Sequence, residues 1–409
     1  MCAISRNHIF ESIDLPCGET LHNLAELFRS NPIIGAVVRS MNCDFSKATL
    51  NNSNILPFLE LKNLTSLSVT HINSKDEATT LWVKTLLENY LTPTSSAALP
   101  SLKTLSLARI TNLNHKTFVL SQSLETLSLS YCSFANDKTS LSHPSIHSKP
   151  NSQLKFLSTC YTTVPLALLR DCSGLEELEV FNGVVVFSHN NKNIGLQDSG
   201  SPPLLPSLKR LKIHLTGRSD HLNLPYDAQY PQFRVLMNNS PELEQLSLEM
   251  SGARAPFLSY PNHNQLKVLN VKWIGVEPPA HFLEREIELL SSLQVPSLES
   301  LSLNIDTAVF ISNANHVEQF EERFAVGARQ VGRLIGDQDG TRFPLLKSSS
   351  LLLDLTRFVQ VRSLRRQARP MRSCGDMKQE FDSVLKTLGS CGDRYEFTSE
   401  LVLKDFNLQ

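Results

Sequence analysis

No glycine-rich loop of the form G-x-x-x-x-G-K-[ST] or G-x-G-x-x-G occurs in this chain, so nothing in it is arranged to cradle a phosphate. The twelve histidines never fall in H-E-x-x-H, and the eight cysteines (2, 17, 43, 132, 160, 172, 374, 391) never form C-x-x-C. Neither a zinc hydrolase nor a structural zinc site is therefore indicated. Scattered thiols point instead to an intracellular, reducing setting, cytoplasmic or nuclear. There is no run of about 18 apolar residues to span a bilayer, and Met1 to Asn7 lead into no apolar segment of a secretory signal. Charge of one sign is also missing: 39 Lys and Arg face 40 Asp and Glu, for a net charge of −1. That balance advertises neither nucleic acid nor an anionic membrane as partner. Gly336-Asp337-Gln338-Asp339-Gly340 has the start of a calcium loop but lacks the later ligands and a closing Glu, so it reads as a turn. No catalytic, cofactor-binding or metal-ligating residue is nominated, and no enzyme activity, cofactor or membrane contact is expected.

What the chain does have is one pattern, repeated. Leu124-Glu125-Thr126-Leu127-Ser128-Leu129-Ser130-Tyr131-Cys132 reads L-x-x-L-x-L-x-x-C, and its first six positions recur from Leu64, Leu102, Leu154, Leu175, Leu208, Leu243, Leu266 and Leu298, with a degraded copy from Leu346. Positions 1, 4 and 6 of such a repeat point inward, the middle forms a short strand, and neighbouring strands stack in parallel. The pattern predicts an α/β fold: a leucine-rich-repeat solenoid, or horseshoe, with a parallel β-sheet on its concave face and helices or loops on the convex one. Copies lie 21 to 48 residues apart. The longer gaps hold either helical stripes (76–91, 232–238, 282–293), read as convex-layer core, or polar insertions at 135–153 and 190–206, read as exposed loops.

Two columns emerge when the copies are aligned. Position 2 reads Lys103, Glu125, Lys155, Glu176, Lys209, Glu244, Lys267, Glu299, Lys347, with unbroken alternation of sign. Adjacent strands lie about 4.8 Å apart, so each charge is expected to meet opposite charges and help fix strand order. Position 5 faces the concave side and is mostly serine, the exceptions being Glu179, Lys212 and Asn270. Glu177 and Glu179 are expected beside Arg210 and Lys212, either as internal cross-strand pairs or as contacts to a partner. With Asn270 these are the candidate partner-binding residues. Cys43 and Cys132 read as packing thiols.

The chain divides into an N-terminal lead-in and capping helix (1–33), the repeat array (34–310), and a degenerate last repeat with a helical C-terminal cap (311–409). In the lead-in, 10–15 alternates like a strand, and Leu21, Leu24, Leu27 and Phe28 carry a helix stopped by Asn31-Pro32. In the cap, Val317, Phe320, Phe324 and Val331 predict one helix, and Met377, Phe381, Val384 and Leu388 another. Arg357, Arg362, Arg365, Arg366, Arg369 and Arg372 form the one charge anomaly, without Asp or Glu among them. The segment reads as a solvated amphipathic helix, with a nucleic-acid or lipid patch as the alternative.

The repeat with Cys132 at its ninth position resembles the cysteine-containing leucine-rich repeats common in F-box proteins. Phe10 to Leu15, Leu24 to Pro32 and Val37 to Met41 are similar to the segment that follows the F-box in fungal F-box/leucine-rich-repeat proteins, and the Pro-Ser-Leu-Lys and Pro-Glu-Leu-Glu openings at Pro100 and Pro241 fit the same group. The resemblance implies a substrate-recognition subunit of an SCF-type ubiquitin ligase, whose F-box would grip a Skp1-type adaptor while the repeats hold a protein target. The F-box itself would precede Phe10, where this sequence has nine residues, and Leu15-Pro16 lacks the helical run that should follow. The adaptor is thus an expected partner only with an upstream F-box. The alternative is a stand-alone intracellular scaffold or regulator without a ubiquitin link.

Overall fold

A computed structural model describes residues 10–15, 18–45, 61–70, 77–91, 102–135, 153–186, 204–216, 233–251, 264–336, 343–360, 372–389 and 396–408, apart from 120, 122, 183, 234 and 294. The fold is α/β, in two compact units, 1–208 and 209–409. Insertions 136–150 and 190–203, the turn at 337–340 and most of the arginine segment lie outside the described residues.

The first unit holds strands β1 (Ser12–Leu15), β2 (Ser40–Asp44), β3 (Ser66–Thr70), β4 (Thr104–Ala108), β5 (Thr126–Ser130), β6 (Phe156–Cys160) and β8 (Glu177–Phe181), neighbours in that order. Every pair is parallel, and the register joins like positions of the repeat, as in Leu105↔Leu127 and Leu127↔Leu157. A second small ladder pairs β7 (Thr163–Pro165) with β9 (Val184–Val186). Period-two alternation sends positions 4 and 6 inward. Leu67, Leu105, Leu127, Leu157 and Leu178 are all buried, each within 1% of full burial. Each such leucine contributes about 1.5–3 kcal/mol of hydrophobic stabilisation. Behind the strands lie α1 (Gly18–Ser30), α2 (Pro32–Val37), α3 (Glu77–Leu91), α4 (His115–Val119) and α5 (Leu166–Asp171). Pro32 ends α1 and starts α2, because proline fits a first helical turn and no later one.

The second unit holds β10 (Arg210–Thr216), β11 (Gln245–Ser251), β12 (Val268–Glu277), β13 (Ser300–Ile311), β14 (Ser348–Gln360) and β15 (Glu396–Leu408), again parallel and in order. Its longer helices are α6 (Glu284–Ser292), α7 (Ala314–Gly336) and α8 (Cys374–Gly389). Val317, Phe320, Phe324 and Val331 of α7 are buried, as are Met377 and Phe381 of α8. Phe282, Phe320, Phe324 and Phe381 form one aromatic cluster, with Phe282 and Phe320 edge to face at 5.2 Å. The stripe expected over 282–293 is interrupted at Leu283, whose φ of 62° breaks the helix before Glu284. Gly327 allows that break: a Cβ there would sit 3.0 Å from the Leu283 Cβ.

Residues 311–409 hold α7 and α8 together with two parallel strands of 13 residues each, β14 in the degenerate repeat from Leu346 and β15 beyond it. The segment read as an amphipathic helix from Arg357 begins instead inside β14, where Arg357 is an inward residue, 1% exposed. A strand wins there because 351, 353, 355, 357 and 359 all face the core, a period of two that the arginine disguises.

Candidate binding face

On both units the positions that are not inward, 3, 5 and 7, project from one face of the sheet and are half-buried or exposed. Serine hydroxyls bond across neighbouring strands: Ser350 to Ser302 at 2.9 Å, Ser348 to Ser300 at 3.1 Å, and Asn270 to Ser247 at 3.2 Å. Ser158 donates to the Glu179 carboxylate at 3.3 Å. Of the nominated residues, Glu177 and Glu179 share one face of β8 in the first unit. Arg210 and Lys212 share one face of β10, and Asn270 stands exposed on β12, all in the second unit.

The strand starts are tied together in a repeating way. The position-2 carbonyl of one repeat accepts the N–H groups of positions 2 and 3 of the next, as when Lys103 O receives Glu125 and Thr126, both at 2.9 Å. On this frame the position-2 side chains form ion pairs: Lys103–Glu125 at 3.1 Å, Glu244–Lys267 at 3.2 Å, and Glu299–Lys347. Lys347 draws the Glu299 carboxyl below its ordinary pKa by hydrogen bond and charge, with Lys267 adding to it. The same column extends forward to Glu11 and Arg39, at 3.6 Å, which the sequence reading missed because Thr65 interrupts the alternation.

At position 8 the two units diverge. In the first, Arg109, Tyr131, Tyr161 and Asn182 all follow a strand and all have positive φ, from 46° to 61°. The N–H groups of Arg109, Tyr131 and Tyr161 still continue the ladder, as in Tyr131 to the Cys160 carbonyl at 2.7 Å. The Tyr131 and Tyr161 rings stack at 4.7 Å and 12°, and the Arg109 guanidinium lies 5.7 Å from the Tyr131 ring centre. A left-handed non-glycine residue costs about 1–2 kcal/mol; the stack returns about 0.5–1.5 and the cation–π contact about 0.5–1. The result is an exposed aromatic step with Tyr131 46% accessible. Tyrosine and arginine are the residue types that dominate protein-binding hot spots.

Position 9 then turns inward. Cys132 donates its thiol to the carbonyls of Leu107 and Ser130, at 3.3 and 3.4 Å. One repeat later Thr162 does the same to Leu129 and Cys160, at 3.3 and 3.0 Å, and its oxygen also accepts the Cys132 N–H at 3.0 Å. Burial pushes the Cys132 thiol up to about 11 and the Cys43 thiol to about 12. Neither is a thiolate near neutrality, so both are structural rather than nucleophilic.

The second unit's face carries different groups. His214, Glu249 and Lys272 line up at position 7 of three neighbouring strands, with Lys272 3.3 Å and His214 Nε2 3.9 Å from the Glu249 carboxylate. Burial depresses the His214 pKa, Glu249 pulls it back up and Lys272 adds to the depression. Further along, Phe310, Phe358 and Phe406 stack in register at 4.9 and 5.5 Å. Phe310 and Phe406 are about half exposed, at 48% and 51%. Their constant spacing of 48 residues was a signal in the sequence. Arg357, by contrast, is withdrawn from any surface patch: its guanidinium forms two bonds to Asp405, at 2.6 and 2.8 Å, and one to Met377 Sδ at 3.0 Å. Arg372 is paired with Glu380 at 2.6 Å.

A cavity of about 320 Å³ between α3 and α4 is lined by Lys84, Glu88, Asn112, His115 and Lys116 among others, charges of mixed sign. Among the described residues no group of three His, Cys, Asp or Glu could hold a metal, and no helix is long and apolar enough to cross a membrane. No protein-family model matches this chain, and no curated protein matches it in sequence.

Proposed function

We propose that the chain is a leucine-rich-repeat solenoid that binds a protein partner on the open face of its strands, without catalysing a reaction. One observation carries this reading: successive repeats bury positions 4 and 6 and present 3, 5 and 7 on a face that, among the described residues, stays half-buried or exposed, which concentrates accessible side chains on a scaffold fixed by the backbone. The Arg109–Tyr131–Tyr161 step supplies the anchoring chemistry that the serine column lacks. Within that class, the resemblance of the lead-in supports target recognition for an SCF-type ubiquitin ligase in the cytoplasm or nucleus.

Affinity capture with and without the upstream coding sequence tests the role. Recovery of a Skp1-type adaptor only with the extension supports the ligase subunit. Recovery of the same target proteins with no adaptor in either case assigns the chain to stand-alone scaffolds instead. In both cases Y131A/Y161A should weaken target capture at least tenfold, about the loss of one hot spot. Unchanged capture would remove this face from the binding site.

A further inference from the structure

The outermost strands of the two units are protected differently. In the first unit β1 is four residues long, too short to template much. In the second, β15 runs 13 residues, and among the described residues no strand pairs with its outer edge. Proteins blunt such edges with proline, bulges or lysine. β15 contains no proline or glycine, keeps unbroken register with β14 along its length, and its one lysine, Lys404, is held against β14 by Asp354 at 2.9 and 3.0 Å, with one of its three donors to spare.

The direction of its backbone groups can be read from one bond. The Glu396 N–H donates to the Lys347 carbonyl of the neighbouring strand at 2.8 Å. Even-numbered residues therefore spend their N–H and C=O on β14, and Phe397, Ser399, Leu401, Leu403 and Asp405 turn theirs outward. In a two-fold antiparallel pairing the numbers of opposite residues add to a constant. Full overlap sets Glu396 opposite Leu408 and puts the axis at Val402. This register brings odd residues opposite odd ones, so the outward donors and acceptors meet. Leu401 falls opposite Leu403 on the core side. On the open face Thr398 falls opposite Phe406, and Glu400 opposite Lys404. A slip of two residues in either direction loses both charge pairs, and a slip of one misaligns every hydrogen bond.

We propose that β15 pairs antiparallel with β15 of a second copy of this chain, in the register centred on Val402, making a two-fold dimer with Glu400 of each copy opposite Lys404 of the other. The register of greatest overlap is also the only neighbouring one with complementary charge, and that coincidence selects a second copy over an unrelated strand. The dimer is independent of the partner bound on the open face.

Sedimentation velocity on the full chain, over a range of concentrations, tests it. The wild-type chain should dimerise. E400K sets lysine opposite lysine at both ends and K404E sets glutamate opposite glutamate, so each alone should weaken the dimer tenfold or more. An equal mixture of the two should recover a heterodimer, since every facing pair is then opposite in sign. S399P removes an outward N–H without touching a bond to β14 and should also give monomer. Glu400 forms no ion pair within the described residues, so E400K and S399P decide the matter even if K404E, which faces Asp354, fails to fold. Outward amides of β15 should become protected from hydrogen exchange on dimerisation. A folded wild-type monomer at 100 μM, about the highest concentration a weak complex needs, would overturn the proposal. So would a dimer indifferent to E400K and S399P, or mixed variants that associate no better than each alone.

Discussion

The two units use the same six positions and then part company. In the first, position 8 of four repeats (Arg109, Tyr131, Tyr161, Asn182) flips into the left-handed region and position 9 (Ile110, Cys132, Thr162) goes inward, so strands β4 to β6 and β8 stop at five residues, whereas Phe45, at position 8 after β2, is buried without that flip. In the second, position 8 stays in the strand and inward, as Met250, Trp273, Ile305 and Leu353, and strands run from 7 to 13 residues. The difference is one of phase. Burial at 4, 6 and 9 ends a strand, whereas burial at 4, 6 and 8 prolongs it, because a pleated strand sends only every second side chain to one side. Each unit consequently places its exposed aromatics differently: the first at the kink, as Tyr131 and Tyr161, the second along the extended strand, as Phe310, Phe358 and Phe406.

Where the units agree, substitutions should cost alike. L127A in the first and L246A in the second each truncate a fully buried position-4 leucine, and each should lose about 2–5 kcal/mol in denaturant unfolding followed unit by unit. A several-fold smaller loss in one unit would show that the shared positions are not equivalent. The next effect belongs to the second unit alone. D405A strands the buried Arg357 guanidinium, and removing one partner of a buried pair costs about 3–5 kcal/mol. Asp405 is itself 38% exposed by side chain, so the lower end of that range applies. The apolar double replacement R357M/D405L should recover most of the loss. If D405A is silent, Arg357 does not hold β14, β15 and α8 together.

The phase difference was readable in the sequence, and reading the repeats only as far as position 6 hid it. Apolar residues at position 8 were present in plain sight: Met250, Trp273 and Ile305 follow the motif at one fixed offset. So were Arg109, Tyr131 and Tyr161. What sequence periodicity could not provide was direction, since a left-handed tyrosine and an extended one are spelled alike. Arg357 misled for another reason: a charged residue at an inward position looks like a helix's polar face until Asp405, 48 residues away, is seen to neutralise it. β15 escaped notice because a step of 48 from Leu346 lands on Arg394, where the first leucine of the motif is absent.

A smaller effect tests the kink of the first unit. T162V keeps the shape of the side chain but removes the hydroxyl that bonds the Leu129 and Cys160 carbonyls and receives the Cys132 N–H. The Cys160 carbonyl keeps the Tyr131 N–H, but the Cys132 N–H loses its acceptor inside the fold, which should cost about 1–3 kcal/mol. C132S, which keeps a donor at the equivalent place, should cost less. Equal losses from the two would mean that packing, not hydrogen bonding, seats position 9.

The smallest effect concerns what both units share before they diverge. A charge column at position 2 is formed in each, as Lys103–Glu125 in the first and Glu244–Lys267 in the second. These side chains are exposed, 60% and 39% for Lys103 and Glu125 and 40% and 44% for Glu244 and Lys267, so each pair should be worth only about 0.2–1 kcal/mol. Double-mutant cycles to alanine should give coupling of that size at low salt, fading as ionic strength shortens the Debye length to about 8 Å. The column matters less for stability than for order, because omitting one repeat would set like charges side by side along a frame whose carbonyls accept whichever strand arrives. Coupling that is zero at low salt in both units would leave strand order to the leucines and the backbone alone. Coupling in one unit only would make the charge column, like position 8, a place where the two halves of the chain solve the same problem differently.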